Sequence, residues 1–141
     1  MIRQRIIDAA RGWIGTPYQH QACCRGAGCD CLGLIRGVWR ELYGEEPESA
    51  PPYSMDWGEA DGGELLRDAA RRHLQEIAIS ERLPGDVLLF RPLCRAPARH
   101  AGILSAPGYI IHACSGHAVR EEPLGAWERR IAHAFRFPDV V

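Results

Sequence analysis

The chain has no long uninterrupted hydrophobic run. Its opening stretch, "MIRQRIIDAARGWIGTPY", is broken by Arg3, Arg5, Asp8 and Arg11, so it lacks the apolar core of a signal peptide. No segment reaches the roughly 20 apolar residues that would span a bilayer, which excludes membrane insertion as a helix. The expectation is synthesis in the cytoplasm, with any work outside depending on something else to carry the protein there. A strong charge of either sign is also missing. The formal net charge is -1, so there is no general electrostatic pull toward nucleic acid or anionic membranes. Internal repeats, low-complexity tracts and dividing linkers are absent, and 141 residues suit one compact domain, 1–141, that can bury its own core.

What is present changes texture along the chain. Ile6, Ile7, Ala10, Trp13 and Ile14 recur at helical spacing before Gly15 and Pro17, predicting a helix from Ile2 to Ile14. A polar loop follows, and Leu34, Ile35, Val38, Trp39 and Leu42 then carry a second helix from Cys31 to Gly44. Asp30 stands at its N-cap position, where a carboxylate accepts from an unpaired amide of the first turn. Residues 45–63, rich in Pro, Gly and acidic groups, predict a surface loop, then a short helix with Leu65, Leu66, Ala69 and Ala70 on one side. The runs "EIAIS", "DVLLF", "HAGIL", "YIIHAC", "HAVRE" and "IAHAFRF", split by turns such as "LPGD" and "APG", predict an antiparallel sheet. Helices first and strands after make the fold class α+β.

Four of the six cysteines fall in "CCRGAGCDC" at 23–31. Their adjacent, four-apart and one-apart spacings suit a tetrahedral zinc site poorly, although Cys23 and Cys29 with a downstream His stay open as ligands. A secreted disulfide scaffold would be shorter, with cysteines spaced along the chain, so reduced thiols are the default. Only Cys31 begins a helix, where the macrodipole and free amides favour thiolate over thiol. The small Gly33, two residues on, would let a substrate backbone approach, and the Cys31 amide points where an oxyanion would develop. The plain alternative, a small buried apolar residue, remains open on local sequence. A thiol nucleophile needs a base from elsewhere. His100 opens the strand "RHAGIL" and His112 lies in the next, "YIIHAC"; if the two strands pair, both imidazoles face one end of the sheet. His20, His73, His117 and His133 have no such pairing and read as structural or surface residues, His73 as solvated among arginines.

Taken together, "GTPY" at 15–18, "DCLGLI" at 30–35, "LPGDVLLF" at 83–90, "RHAGIL" at 99–104 and "YIIHA" at 109–113 resemble the NlpC family of papain-like cysteine peptidases that cut bacterial cell-wall peptides. The stretch "GCDCLGLIRGVWRELYG" looks most like the phage-type peptidases of tail-module clusters, including those of gene transfer agents. The resemblance implies a papain-like fold, Cys31 as nucleophile, His100 as general base, His112 as the orienting residue and Tyr18 as a substrate or oxyanion contact. It implies no metal and no organic cofactor. Asp30 needs no role beyond its cap, and Cys23, Cys24 and Cys29 become bystanders, Cys29 in a packing position.

The implied substrate is peptidoglycan, cut between γ-D-glutamyl and a diamino acid, with phage-like tail or baseplate proteins as partners and local wall opening as the use. Two departures concern substrate preference: "QHQACCRGAGC" replaces the loop that often holds a Gly-Gly pair, and Leu32 stands where Ser is common. Three rivals remain: a structural tail-tip component with weak or lost activity, a thiol redox or zinc protein, and an amidase or acyl transferase using the same Cys-His machinery.

Overall fold

The computed structural model describes residues 2–46, 64–92 and 96–140. The loop expected at 45–63 lies, from residue 47 on, outside the described residues, as does Cys94. Helix α1 (Ile2–Arg11) packs against α2 (Cys31–Tyr43), and α3 (Leu65–His73) follows. A short hairpin, β1 (Cys23–Cys24) with β2 (Gly28–Cys29), lies between the first two helices. The main sheet is antiparallel, built from β3 (Gln75–Ile77), β4 (Val87–Phe90), β5 (His100–Ala106), β6 (Tyr109–His112), β7 (Arg120–Pro123) and β8 (Ile131–Arg136) in the order β3-β8-β4-β5-β6-β7. No helix among the described residues is long and apolar enough to cross a membrane.

Helix α1 stops short of the predicted end. Gly12 shares its amide between the Asp8 and Ala9 carbonyls, and Trp13 and Ile14 then bond three residues back, which tightens the turn. Trp13 stays buried; Ile14 is rotated out and is 46% exposed. Helix α2 begins as expected, with Asp30 Oδ1 accepting from the Gly33 amide at 2.8 Å. In α3 only Leu66 and Ala70 of the predicted face are buried, and Leu65 is exposed.

The sheet is covered on both sides. Val87, Leu89, Ala101, Ile103, Ile111 and Phe135 meet Ile6, Ala10, Leu34 and Val38 of the helices. On the opposite face, Leu88, Phe90, Leu104, Ile110 and Ala134 pack with Leu124, Trp127 and Ile131. Strand β4 is therefore buried on both faces, which is why it reads as the unbroken "VLLF". Burial of each such side chain contributes about 1.5–3 kcal/mol. The buried Asp86 ties α1 to the sheet, its carboxylate accepting from Arg3 at 3.0 Å and from Arg136 at 2.9 Å.

Two strands differ from the sequence expectation. "EIAIS" yields only Gln75–Ile77, and Ile79–Glu81 turn into a 3₁₀ segment. The run "HAVRE" shifts toward its C-terminus because Val119 pairs with the α1–β1 connection, Gly15 N donating to its carbonyl and its own amide donating to Thr16 O, both at 2.8 Å. Pairing with β6 starts at Arg120, opposite His112, and runs on to Pro123.

Candidate active site

A cleft of about 220 Å³ opens where β5 begins, lined by Tyr18, His20, Asp30, Cys31, Arg99, His100, Cys114, Trp127 and Arg130 among others. Cys31 enters it from the first position of α2. Its Sγ lies 4.0 Å from the Arg99 carbonyl, and the backbone amides of Ala101 and Leu32 act on it to favour the thiolate, which places the thiol beside the residues that flank His100. The Asp30 carboxylate, nearly fully buried, also accepts from the Gln21 amide at 2.7 Å, which fastens the loop before the helix to its first turn.

His100 and His112 come together as the strand pairing predicted. Strands β5 and β6 are antiparallel neighbours, and His100 Nε2 lies 2.8 Å from His112 Nδ1. Trp127 stacks on the His100 ring with centroids 4.7 Å apart, and Phe90 lies against the tryptophan. Gly102 makes room for this arrangement, since a Cβ there would overlap the Ile110 side chain and crowd His112 Cβ at 3.1 Å.

Burial decides the protonation of the pair. It pushes the Cys31 thiol up, the Asp30 charge adds to this, and the two backbone amides only partly oppose it. Burial and the adjacent His112 push the His100 imidazole down. The resting site therefore favours a neutral thiol beside a neutral imidazole, and the helix N-terminus does not by itself generate the thiolate expected from sequence. Tyr18, pushed up to about 12 first by burial and then by Cys31, stays a phenol able to donate a hydrogen bond into the cleft.

Two expectations change. Gly33 is small because of the chain itself: a Cβ would overlap the Ala22 carbonyl, so the close approach is made by the loop and not by a substrate backbone. His20, read as structural or surface, lines the cleft, with Nδ1 3.8 Å from Asp30 Oδ2. Other readings hold their places. His117 is exposed, His133 lies 3.6 Å from Glu76, and Cys29 is fully buried in the core. His73 is half-buried and not freely solvated. Cys23 donates to the Gly33 carbonyl at 3.0 Å, and Cys23, Cys24, Cys29, Cys31 and Cys114 are free thiols. Sequence reasoning missed Trp127, Cys114 and Arg130, which reach the cleft from elements distant along the chain and carry no local motif.

The model of the NlpC/P60 family matches residues 15–136. The protein of Mycobacterium tuberculosis named "Probable endopeptidase Rv2190c" is 30% identical over 123 residues, covering 86% of this chain and 26% of the relative. The "Murein DD-endopeptidase MepS/Murein LD-carboxypeptidase" of Escherichia coli K12 is 27% identical over 140 residues, covering 96% of this chain and 63% of that protein. This chain thus spans about a quarter of the mycobacterial relative's length and somewhat under two thirds of MepS. Among solved structures, the NlpC/p60 domain of the peptidoglycan hydrolase SagA superposes with a TM-score of 0.70 at 21% identity, over 96% of this chain and 98% of that domain. Helices laid on an antiparallel sheet have the papain-like architecture of the NlpC/P60 structures, and the chain, matched by the family model from residue 15 to residue 136, belongs to the NlpC/P60 family.

Proposed function

We propose that this chain is a cysteine peptidase that hydrolyses peptidoglycan stem peptides, with Cys31 as nucleophile, His100 as general base, His112 orienting it and Tyr18 contacting the substrate. The observation that carries this reading is the convergence of Cys31 and His100 on one cleft, with His112 2.8 Å behind His100. The murein activities in the name of MepS support the substrate class.

His100 Nε2 is engaged by His112, so Nδ1 is the nitrogen that takes the Cys31 proton as sulfur attacks the amide carbonyl. The same nitrogen returns the proton to the leaving amine. It then deprotonates the water that cleaves the thioester, which releases the carboxylic acid and the free thiol. As the finer reading, the domain spans the whole of 1–141, cuts the bond between γ-D-glutamyl and a diamino acid, and opens the wall locally as part of a phage-like or gene-transfer-agent tail. That reading is supported by the resemblance of "GCDCLGLIRGVWRELYG".

The test is digestion of purified peptidoglycan by the native protein and by Cys31→Ala, with released muropeptides identified by mass spectrometry. New fragments from the native protein alone are expected, and their masses name the bond. Fragments from both proteins would overturn Cys31, and fragments from neither would favour the structural tail-tip role.

A further inference from the structure

Beyond His112 the chain of contacts continues onto β7. His112 Nε2 lies 2.7 Å from Glu122 Oε1, and the other carboxylate oxygen lies 3.0 Å from Arg120 Nε. Register explains the reach. Arg120 is directly opposite His112, and Glu122, two residues on, shares its face of the strand and is diagonal to the imidazole, within range of a long side chain. His112 is 1% exposed, so both ring nitrogens must find protein partners, and the two described here satisfy them.

We infer that Glu122 is a positioning residue that sets the tautomer of both histidines and so leaves His100 Nδ1 free to act as base. This rests on the assignment of Cys31 and His100 above. The argument follows the hydrogens. A carboxylate only accepts, so the His112 Nε2 atom carries a proton and donates it to Glu122. Neutral His112 then has a lone pair on Nδ1, which accepts from His100 Nε2–H. His100, neutral with its proton on Nε2, is left with a lone pair on Nδ1 for the thiol. If His112 instead carried its proton on Nδ1, the order would reverse, and the His100 Nδ1 atom would hold a proton and could not receive one. Carboxylates that fix a metal-binding histidine in this way are worth about 10- to 100-fold when removed, and an effect of the same order is expected here.

The charged groups around this relay act in both directions. Glu122 raises the His112 imidazole, whereas burial, Arg120 and the more distant His117 lower it, and burial is the largest influence. Arg130 sits 5.7 Å from the Trp127 ring that covers His100. His112 stays neutral at ordinary pH with Glu122 as its hydrogen-bond partner on β7 among the described residues, so removal of the carboxylate frees the tautomer without removing a ring.

The experiment uses the full chain in native form, as Glu122→Ala and as Glu122→Gln, with two readouts. The first is ¹⁵N NMR of the histidine side chains, which needs no substrate. The His112 Nε2 atom is expected to be protonated in the native protein, with a mixture of tautomers in Glu122→Ala and recovery in Glu122→Gln, whose amide oxygen still accepts. The second is muropeptide release. A loss of at least about 10-fold in kcat with KM within two-fold is expected for Glu122→Ala, a smaller loss for Glu122→Gln, and an acid limb moved to lower pH. Native His112 protonated on Nδ1, or Glu122→Ala with an unchanged tautomer and kcat within two-fold, would overturn the proposal. Native protein that cuts no peptidoglycan would defeat the functional reading alone, because the NMR result still decides the relay.

Discussion

Cys31 stands between opposing influences. The amides of Leu32 and Ala101 favour its thiolate, and burial with the Asp30 carboxylate favours the thiol. Burial prevails in this cleft because an ion taken from water loses more solvation than two backbone dipoles return. The consequence is measurable by alkylation with iodoacetamide across pH, followed by mass spectrometry of the Cys31 peptide. The rate is expected to keep rising from pH 6 to pH 9, as for a thiol whose pKa lies above the free value of about 8.5. A plateau extending down to about pH 5 would show a preformed thiolate–imidazolium pair and sink the neutral-pair reading. At this scale the sequence told much about Cys31, whose cap Asp30 is its neighbour, and little about Glu122. That glutamate sits in an ordinary polar strand, and only the register with β6 brings it to His112.

At the scale of elements, the start of α2 is positioned by close packing as much as by its cap. Gly33 lies against the Ala22 carbonyl, and Asp30 binds both the first turn and the loop at Gln21, so loop and helix move as one piece. Gly33→Ala must displace backbone, which does not yield as a flexible side chain does. The expected outcome is a loss of about 2 kcal/mol in urea unfolding, typical of overpacking, and a fall in kcat of at least 10-fold as Cys31 shifts from His100. Native stability and kcat would show that the loop relaxes freely. Helical periodicity made α2 legible, and the apolar "VLLF" made β4 legible. The end of α1 and the start of β7 were not, since Ile14 turns outward on tight three-residue bonds and Val119 gives its backbone to Thr16 and Gly15.

For the whole molecule, pH acts through the buried histidines. Burial holds His100, His112 and His133 below their ordinary value of about 6.5. A depressed histidine binds fewer protons when folded than when unfolded. Stability is therefore full above the unfolded pKa and declines as pH falls through it toward the folded one. The midpoint of thermal unfolding is expected to be lower at pH 5 than at pH 7, with the difference reduced in His112→Gln. An equal or higher midpoint at pH 5 in the native protein would contradict the burial-driven shifts.

The order of helices before strands, the α+β class, the cap at Asp30 and the candidates Cys31, His100 and His112 were all readable from the amino-acid order. Each rests on local spacing or on a short motif, and helical and strand periods are properties of neighbouring residues. The tertiary structure alone decided what those residues face. It stacked Trp127 on His100, put His20 and Cys114 in the cleft, gave Gly33 to the chain's own loop and set Glu122 behind His112. Those contacts join residues far apart in the chain through strand register and burial, and both are fixed only when the sheet closes against its helices.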